Sequence, residues 1–71
     1  MFKATISYFL HTPDDDEEYI ENTFKFIDDC ELTAYLYNKL YCTGMPIHGL
    51  VVRSRHQIKS RYLRNLIREN A

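Results

Sequence analysis

Apolar and polar side chains alternate along the start of the chain. The apolar set takes every second position: Phe2, Ala4, Ile6, Tyr8 and Leu10. Because successive side chains of a strand point to opposite sides, this pattern predicts a half-buried β-strand over residues 2–10. Phe9 breaks the alternation, and we expect it to pack under a loop.

The segment after this strand fits two interpretations. A threonine, a proline and three aspartates in succession are typical of a helix start, which would make residues 14–28 helical. The alternative is an acidic turn over 11–18 and a second strand over 19–27. Phe24 and Phe26 are weak helix formers that favour strands, so we expect the strand. The first two strands would then form a hairpin with a charged loop of about eight residues.

A helix is predicted from residue 28 onwards. Asp28 is a suitable N-cap, and Glu31 stands three residues later as its capping-box partner. Gly44 is the expected C′ residue at the other end. The apolar stripe of this helix consists of leucines four residues apart: Leu32, Leu36 and Leu40.

The last third of the chain predicts one strand and one helix. The apolar run within Ile47–Arg53 indicates a third strand, which we expect to be central in the sheet. Ser54 and Gln57 form a second capping box and would open the terminal helix. Lys59 would then fall within the apolar arc of that helix. The arc is formed by Ile58, Tyr62, Leu63, Leu66 and Ile67.

These elements give the order β-β-α-β-α. We expect one small α+β domain over residues 1–71, a two-layer sandwich with a three-stranded sheet and two helices on one face. If residues 14–28 were helical, the order would be β-α-α-β-α. That fold would have only two strands, which are marginally stable without helix packing.

Charge is divided between the two halves of the chain. Residues 1–31 carry two lysines and nine acids, a net charge of −7, whereas residues 32–71 carry seven bases and one acid, a net charge of +6. The overall net charge of −1 hides this dipole. Such a charge distribution bears on which partners the protein could bind, and it does not indicate the fold.

The basic half gives one candidate binding surface. At 100° per residue, the arginines of the terminal helix project opposite its apolar arc with Gln57 beside them, so they could contact nucleic-acid phosphates or an acidic protein. The alternative is a solvated helix face, stabilised by arginines near the negative end of the helix dipole. The candidate residues are Arg53, Arg55, Arg61, Arg64 and Arg68.

The acidic segment gives a second candidate surface, which could dock on a basic partner or imitate nucleic-acid phosphates. A soluble charged loop or helix start is the simpler interpretation. A third interpretation is internal: the acidic loop lies against the segment Arg53–Arg68, in exposed pairs that contribute little to stability. The segment lacks the central glycine of an EF-hand, so calcium binding is not expected. Its residues are Asp14, Asp15, Asp16, Glu17, Glu18 and Glu21.

Tyrosines form a third candidate set. Tyr37 and Tyr41 stand four residues apart on one side of the first helix, and Tyr19 would point away from the core side of the second strand. Tyrosine is enriched in interface hot spots because it is large, rigid and amphipathic. Partial burial at the edge of the core is the alternative.

No catalytic, cofactor or metal-binding motif is recognisable. Cys30 and Cys42 are not arranged as a CxxC pair, and the three histidines are far apart in sequence. No signal-peptide or membrane-spanning pattern precedes the cysteines, so we expect reduced thiols in a soluble cytoplasmic protein. We therefore expect no enzyme activity, no cofactor and no membrane association.

Three functions remain as hypotheses. The first is a non-enzymatic protein-binding regulator or inhibitor that occupies a surface of a larger protein or protein–nucleic acid complex, acting as a monomer or homodimer. The second is a small nucleic-acid-binding protein that uses the basic terminal helix. The third is an acidic nucleic-acid mimic.

The stretch Thr23–Asp29, followed by the leucine-striped helix, resembles many small α+β proteins encoded by phages and mobile elements. Anti-CRISPR and other host-takeover proteins are among them. The resemblance is one of size and layout over most of the chain, without a diagnostic motif, so no functional residue is carried over. It implies inhibition of a host or defence protein.

Overall fold

The computed structural model describes all residues from Met1 to Ala71. It has the order β-β-α-β-α: β1 Phe2–His11, β2 Glu17–Phe26, α1 Asp29–Tyr37, β3 Ile47–Ser54 and α2 Arg61–Glu69. A π-helical segment, Asn38–Cys42, directly continues α1. The small α+β fold expected from the sequence is confirmed, and the ambiguous segment is a strand rather than a helix.

A short turn joins β1 to β2. The backbone N–H of Thr12 donates to the carbonyl oxygen of Asp16 at 2.8 Å, and that of Asp15 donates to the carbonyl of Thr12 at 3.1 Å. Asp15 has a φ of 62°, a left-handed conformation that aspartate adopts more readily than most residues. The strands extend to His11 and Glu17. The connection is therefore shorter than the loop predicted from the sequence.

The sheet is antiparallel, with the strand order β2-β1-β3. β1 is central, because Ala4 pairs with Phe24 on one side and with Ser54 on the other. The prediction that the third strand would be central is wrong. Its apolar run is typical of burial on both faces, but Leu50 is buried whereas the adjacent Val51 is 45% exposed.

The core lies between one face of the sheet and the two helices. The even-numbered residues of β1 supply its base, and two leucines from each helix cover them. Both helices therefore lie on the same face, as expected, and the opposite face of the sheet has no covering layer. The buried apolar residues are Ala4, Ile6, Tyr8, Phe26, Leu32, Leu36, Leu50, Leu63 and Leu66.

The start of α1 follows the prediction closely. Oδ1 of Asp28 accepts a hydrogen bond from the backbone N–H of Glu31 at 3.0 Å. The Glu31 side chain accepts one in return from the N–H of Ile27 at 3.3 Å. Gly44, with a φ of 69°, follows the C-cap Thr43 of the π-helical segment and so stands at the predicted C′ position.

The start of α2 differs from the prediction. Its N-cap is Ser60, whose hydroxyl accepts from the N–H of Leu63 at 3.2 Å. Ser54 instead donates to the carbonyl of Lys3 at 2.8 Å, which fastens the end of β3 to β1. Gln57 and Lys59 precede the helix. The expectations that Ser54 caps α2, that Gln57 lies beside its arginines and that Lys59 lies in its apolar arc are therefore wrong.

Asp29 explains why α2 starts late. Its carboxylate accepts from Nε2 of His56 at 2.6 Å and from the backbone N–H groups of Lys59 and Ser60 at 3.0 and 3.2 Å. The His56 ring also stacks on Phe2 at 4.0 Å between centroids. These contacts hold the connection between β3 and α2 against the first turn of α1, in a conformation that is not helical.

Stability should depend on the charge of Asp29. The hydrogen bond from His56, supported by the two backbone bonds and opposed by partial burial, lowers the pKa of Asp29 below 3.8. Ionised Asp29 therefore stabilises the fold above pH 3.8, and this contribution is lost as the pH falls through the lowered value. We expect Asp29→Asn to reduce the free energy of unfolding at pH 7 by about 1–3 kcal/mol.

Urea titrations at several pH values test this expectation, with Asp14→Asn as the control because Asp14 lies exposed in the turn. The difference between Asp29→Asn and the unmodified chain should shrink as the pH falls below 3.8. A difference that is constant from neutral to acidic pH would show that the charge of Asp29 is not what stabilises the connection.

Candidate functional site

The arginines of α2 form one exposed basic face. Arg61, Arg64 and Arg68 surround Asn65 and line a shallow open pocket with it. Arg68 donates to the side chain of Asn65. None of the three arginines lies within ion-pair distance of a carboxylate. The sequence prediction that these arginines project together is confirmed, and their positive charge is not compensated within the chain.

The other two predicted basic residues lie elsewhere. Arg53 lies on β3 and forms an ion pair with Glu21 of β2 at 2.8 Å. Arg55 is exposed in the connection that follows β3. The predicted basic surface is therefore divided, because the chain between β3 and α2 is not helical and separates Arg53 and Arg55 from the arginines of α2.

The acidic segment occupies the turn between β1 and β2 and the first half of β2. Three of its members are next to bases of this chain: Asp15 lies 3.3 Å from His11, Glu17 lies 3.1 Å from His48, and Glu21 pairs with Arg53. None forms an ion pair with the arginines of α2. The Glu21–Arg53 pair is therefore the only ion pair between the acidic segment and the predicted basic residues. Exposed pairs of this kind contribute about 0–1 kcal/mol each to stability.

The predicted tyrosines do not form one surface. Tyr37 and Tyr41 pack together with ring centroids 5.1 Å apart and remain 46% and 53% exposed. Tyr19 lies on the sheet instead, against Phe9. Sequence reasoning missed Tyr62, which it placed in the apolar arc of α2, whereas the side chain is 56% exposed.

An open groove of about 550 Å³ runs beside α1 and the start of α2. Tyr37 and Tyr62 line it together with Cys30 and Cys42, which are free and exposed thiols. The aromatic and thiol groups make its surface largely apolar. No group of three or more His, Cys, Asp or Glu side chains is placed to hold a metal ion.

The uncovered face of the sheet, here called the outer face, carries the odd-numbered side chains of β1 and their neighbours on both sides. Phe9 lies on it between Tyr19 and His48, with ring centroids 5.2 and 5.7 Å away. The expectation that Phe9 packs under a loop is wrong. Sequence reasoning missed Phe9 and His48 as surface groups, because the β-bulge near Phe9 that sets their relative position leaves no clear pattern in the sequence.

No helix of the structure combines the length and apolar character needed to cross a membrane. Comparison of the chain with protein-family models, curated proteins and solved structures finds no significant match. The geometry and charge of these surfaces are therefore the basis for proposing a function.

Proposed function

We propose that this chain is a non-enzymatic binding protein that regulates or inhibits a larger macromolecular partner by occupying part of its surface. The observation that carries the proposal is the combination of exposed tyrosines and uncompensated arginines on the helical side. We call this set the helical surface: Tyr37, Tyr41, Arg61, Tyr62, Arg64 and Arg68.

Tyrosine and arginine are among the residues that most often dominate binding energy. Tyr62 lines the apolar groove together with Tyr37, and the arginines of α2 line a separate pocket, so α2 presents an apolar contact and a cationic contact on different parts of its exposed surface. The groove would accept an apolar side chain of the partner. The arginines favour a partner that presents carboxylates, since three positive charges there lack an internal counter-charge.

An acidic protein surface is the partner class that this arrangement fits best. The resemblance in size and layout to phage and mobile-element proteins supports an antagonist of a host or defence protein within that class. Phosphates of a nucleic acid could also contact the same arginines, and the test below distinguishes the two. The mimic hypothesis is less well supported, because Asp15, Glu17 and Glu21 already have basic neighbours.

Replacing Arg61, Arg64 and Arg68 by alanine should weaken partner binding at least about 30-fold, as expected when a hot spot worth 2 kcal/mol or more is removed. The partner is first isolated from the source cells with the immobilised full chain after nuclease treatment, and its affinity for each variant is then measured by calorimetry. Lys3→Ala with Lys25→Ala is the control, since it removes positive charge from the sheet side.

Tyr62→Ala should weaken the same interaction without changing net charge. Unchanged affinity in both the arginine and the tyrosine variants would exclude the helical surface as the binding site. Binding that disappears on nuclease treatment would favour the nucleic-acid alternative.

A further inference from the structure

Residues of the same kind lie opposite each other in several rows across β1 and β2 on the outer face of the sheet. Lys3 of β1 lies directly opposite Lys25 of β2, and Thr5 lies opposite Thr23 in the next row, with their hydroxyls 2.8 Å apart. Further along β1, Phe9 lies opposite Tyr19. At a rise of 3.3 Å per residue, the lysine row and the aromatic row are roughly 20 Å apart.

The aromatic row forms a platform of three rings, in which the His48 ring lies within 20° of the Phe9 plane and the Tyr19 ring is tilted 54° to it. Gly49 has a φ of 66°, and a Cβ added there would come within 3.0 Å of Cδ2 of Phe9. The absence of a side chain at Gly49 therefore lets the Phe9 ring lie against the backbone of β3. Tyr19 and His48 flank this ring, and Phe9 and Tyr19 are 38% and 54% exposed.

One end of the outer face carries cations that have no carboxylate partner. Glu21 accepts hydrogen bonds from both Arg53 and the Tyr19 hydroxyl, each at 2.8 Å, so its charge is compensated on the face itself. Glu17 lies next to His48. Lys3 and Lys25 have no carboxylate partner although they face each other, and like charges placed directly opposite destabilise a sheet.

The Glu21–Arg53 pair crosses β1 diagonally, because Glu21 lies opposite Ser7 and Arg53 lies opposite Thr5. The middle of the face is therefore closed by a bridge that links the two outer strands. On either side of this bridge lie two different binding surfaces: a pair of unpaired lysines at one end and an exposed aromatic platform at the other.

We propose that the outer face binds single-stranded nucleic acid, with bases stacked on Phe9 and Tyr19 and phosphates held by Lys3 and Lys25. A strand with splayed bases presents both the flat apolar surfaces and the negative charges that these two ends fit. A duplex would not reach the platform, since its bases are stacked inside. This site lies on the opposite side of the sheet from the helical surface and does not depend on the function proposed there.

Fluorescence anisotropy with a labelled oligothymidylate of twelve nucleotides and the full chain tests the proposal. We expect saturable binding that weakens with salt, with a slope of log K against log salt near −1.4 for two phosphate contacts on a single strand. Tyr19→Ala should weaken binding about 5- to 150-fold, the range for loss of one stacked base, whereas Tyr19→Phe should retain it.

Lys3→Gln should reduce the magnitude of the salt slope by about 0.7. Lys59→Ala and Ile27→Ala are the controls, because they remove an exposed positive charge and an exposed apolar side chain that belong to neither proposed surface, and circular dichroism verifies that each variant is folded. Equal affinity for a twelve-base-pair duplex would contradict the proposal. Loss of binding in Arg64→Ala with no change in Tyr19→Ala would place the nucleic acid on α2, and absence of binding would leave the outer face without this role.

Discussion

Leu63→Ala is expected to reduce the free energy of unfolding by about 2–5 kcal/mol, the range for truncating a buried leucine. Leu63 is fully buried in the first turn of α2 and belongs to the same cluster as Leu32 and Leu50. Shortening its isobutyl side chain to a methyl group leaves a cavity between the two helices and the sheet. A chain of 71 residues has a total stability of about 4–11 kcal/mol, so the loss is a large fraction of it.

Urea denaturation monitored by tyrosine fluorescence measures this effect. Ile27→Ala is the control, because it truncates a side chain of similar volume that is 62% exposed, and we expect its effect to stay within about 0.5 kcal/mol. Equal destabilisation by the two substitutions would mean that Leu63 is not part of the core. Near-complete unfolding of Leu63→Ala at 25 °C would agree with the upper end of the range.

The α+β class could be predicted from periodicity alone. The two-residue alternation of β1 and the four-residue spacing of Leu32 and Leu36 persist in the structure, because each pattern buries one face of a regular element. The capping box of Asp28 and Glu31 was equally clear, since it depends only on residues within one turn. Predictions that used local information were therefore correct at these elements.

Predictions that needed distant contacts were less successful. Ser54 has the local sequence of a helix cap, but its hydroxyl bonds to Lys3, and the following residues bond to Asp29 instead of forming a helix. The position of β3 at the edge of the sheet is also a tertiary property. Strand order depends on which strand pairs with β1, and periodicity within β3 does not encode that choice.

The candidate surfaces show the same division. The sequence predicted the arginine face of α2 because Arg61, Arg64 and Arg68 are spaced on one helix. A contact between the acidic and basic segments was one interpretation of the sequence, but the sequence did not indicate that Arg53 alone would form it, by pairing with Glu21 across β1. Nor did the sequence predict that Phe9 would form a platform with Tyr19. Both features depend on the register between strands. The charge separation along the sequence is therefore only partly kept in the fold, because Arg53 and Glu21 neutralise each other whereas the arginines of α2 stay unpaired.

Separation of the two surfaces has a consequence for the proposed regulator. The helical surface and the outer face lie on opposite sides of one sheet, so a protein and a single strand could be bound at the same time. A protein–nucleic acid complex would then present both partners together. When the geometry allows both surfaces to bind at once, the overall affinity for the complex exceeds the affinity of either contact alone. Nuclease treatment of the complex would weaken capture by the unmodified chain but not by Tyr19→Ala.

Gly49→Ala should destabilise the fold more than Gly44→Ala, although the two glycines have almost the same backbone conformation, with φ values of 66° and 69°. A left-handed alanine costs about 1–2 kcal/mol at either site. An added Cβ at Gly44 has no neighbour within 4 Å, whereas at Gly49 it would lie 3.0 Å from the Phe9 ring. We expect this contact to add about 1–3 kcal/mol, because the ring must leave its position on β3.

The comparison of these two variants by urea denaturation separates backbone strain from the contact with Phe9, since only the second differs between them. Phe9→Ala in the Gly49→Ala background should remove the additional cost, because the ring that the Cβ displaces is then absent. Equal destabilisation by both glycine variants would show that Phe9 moves aside without cost. The platform on the outer face would then lack the rigid support that stacking of a base requires. We expect Gly49→Ala to lower the affinity for the oligonucleotide, and in that case the affinity would be unchanged.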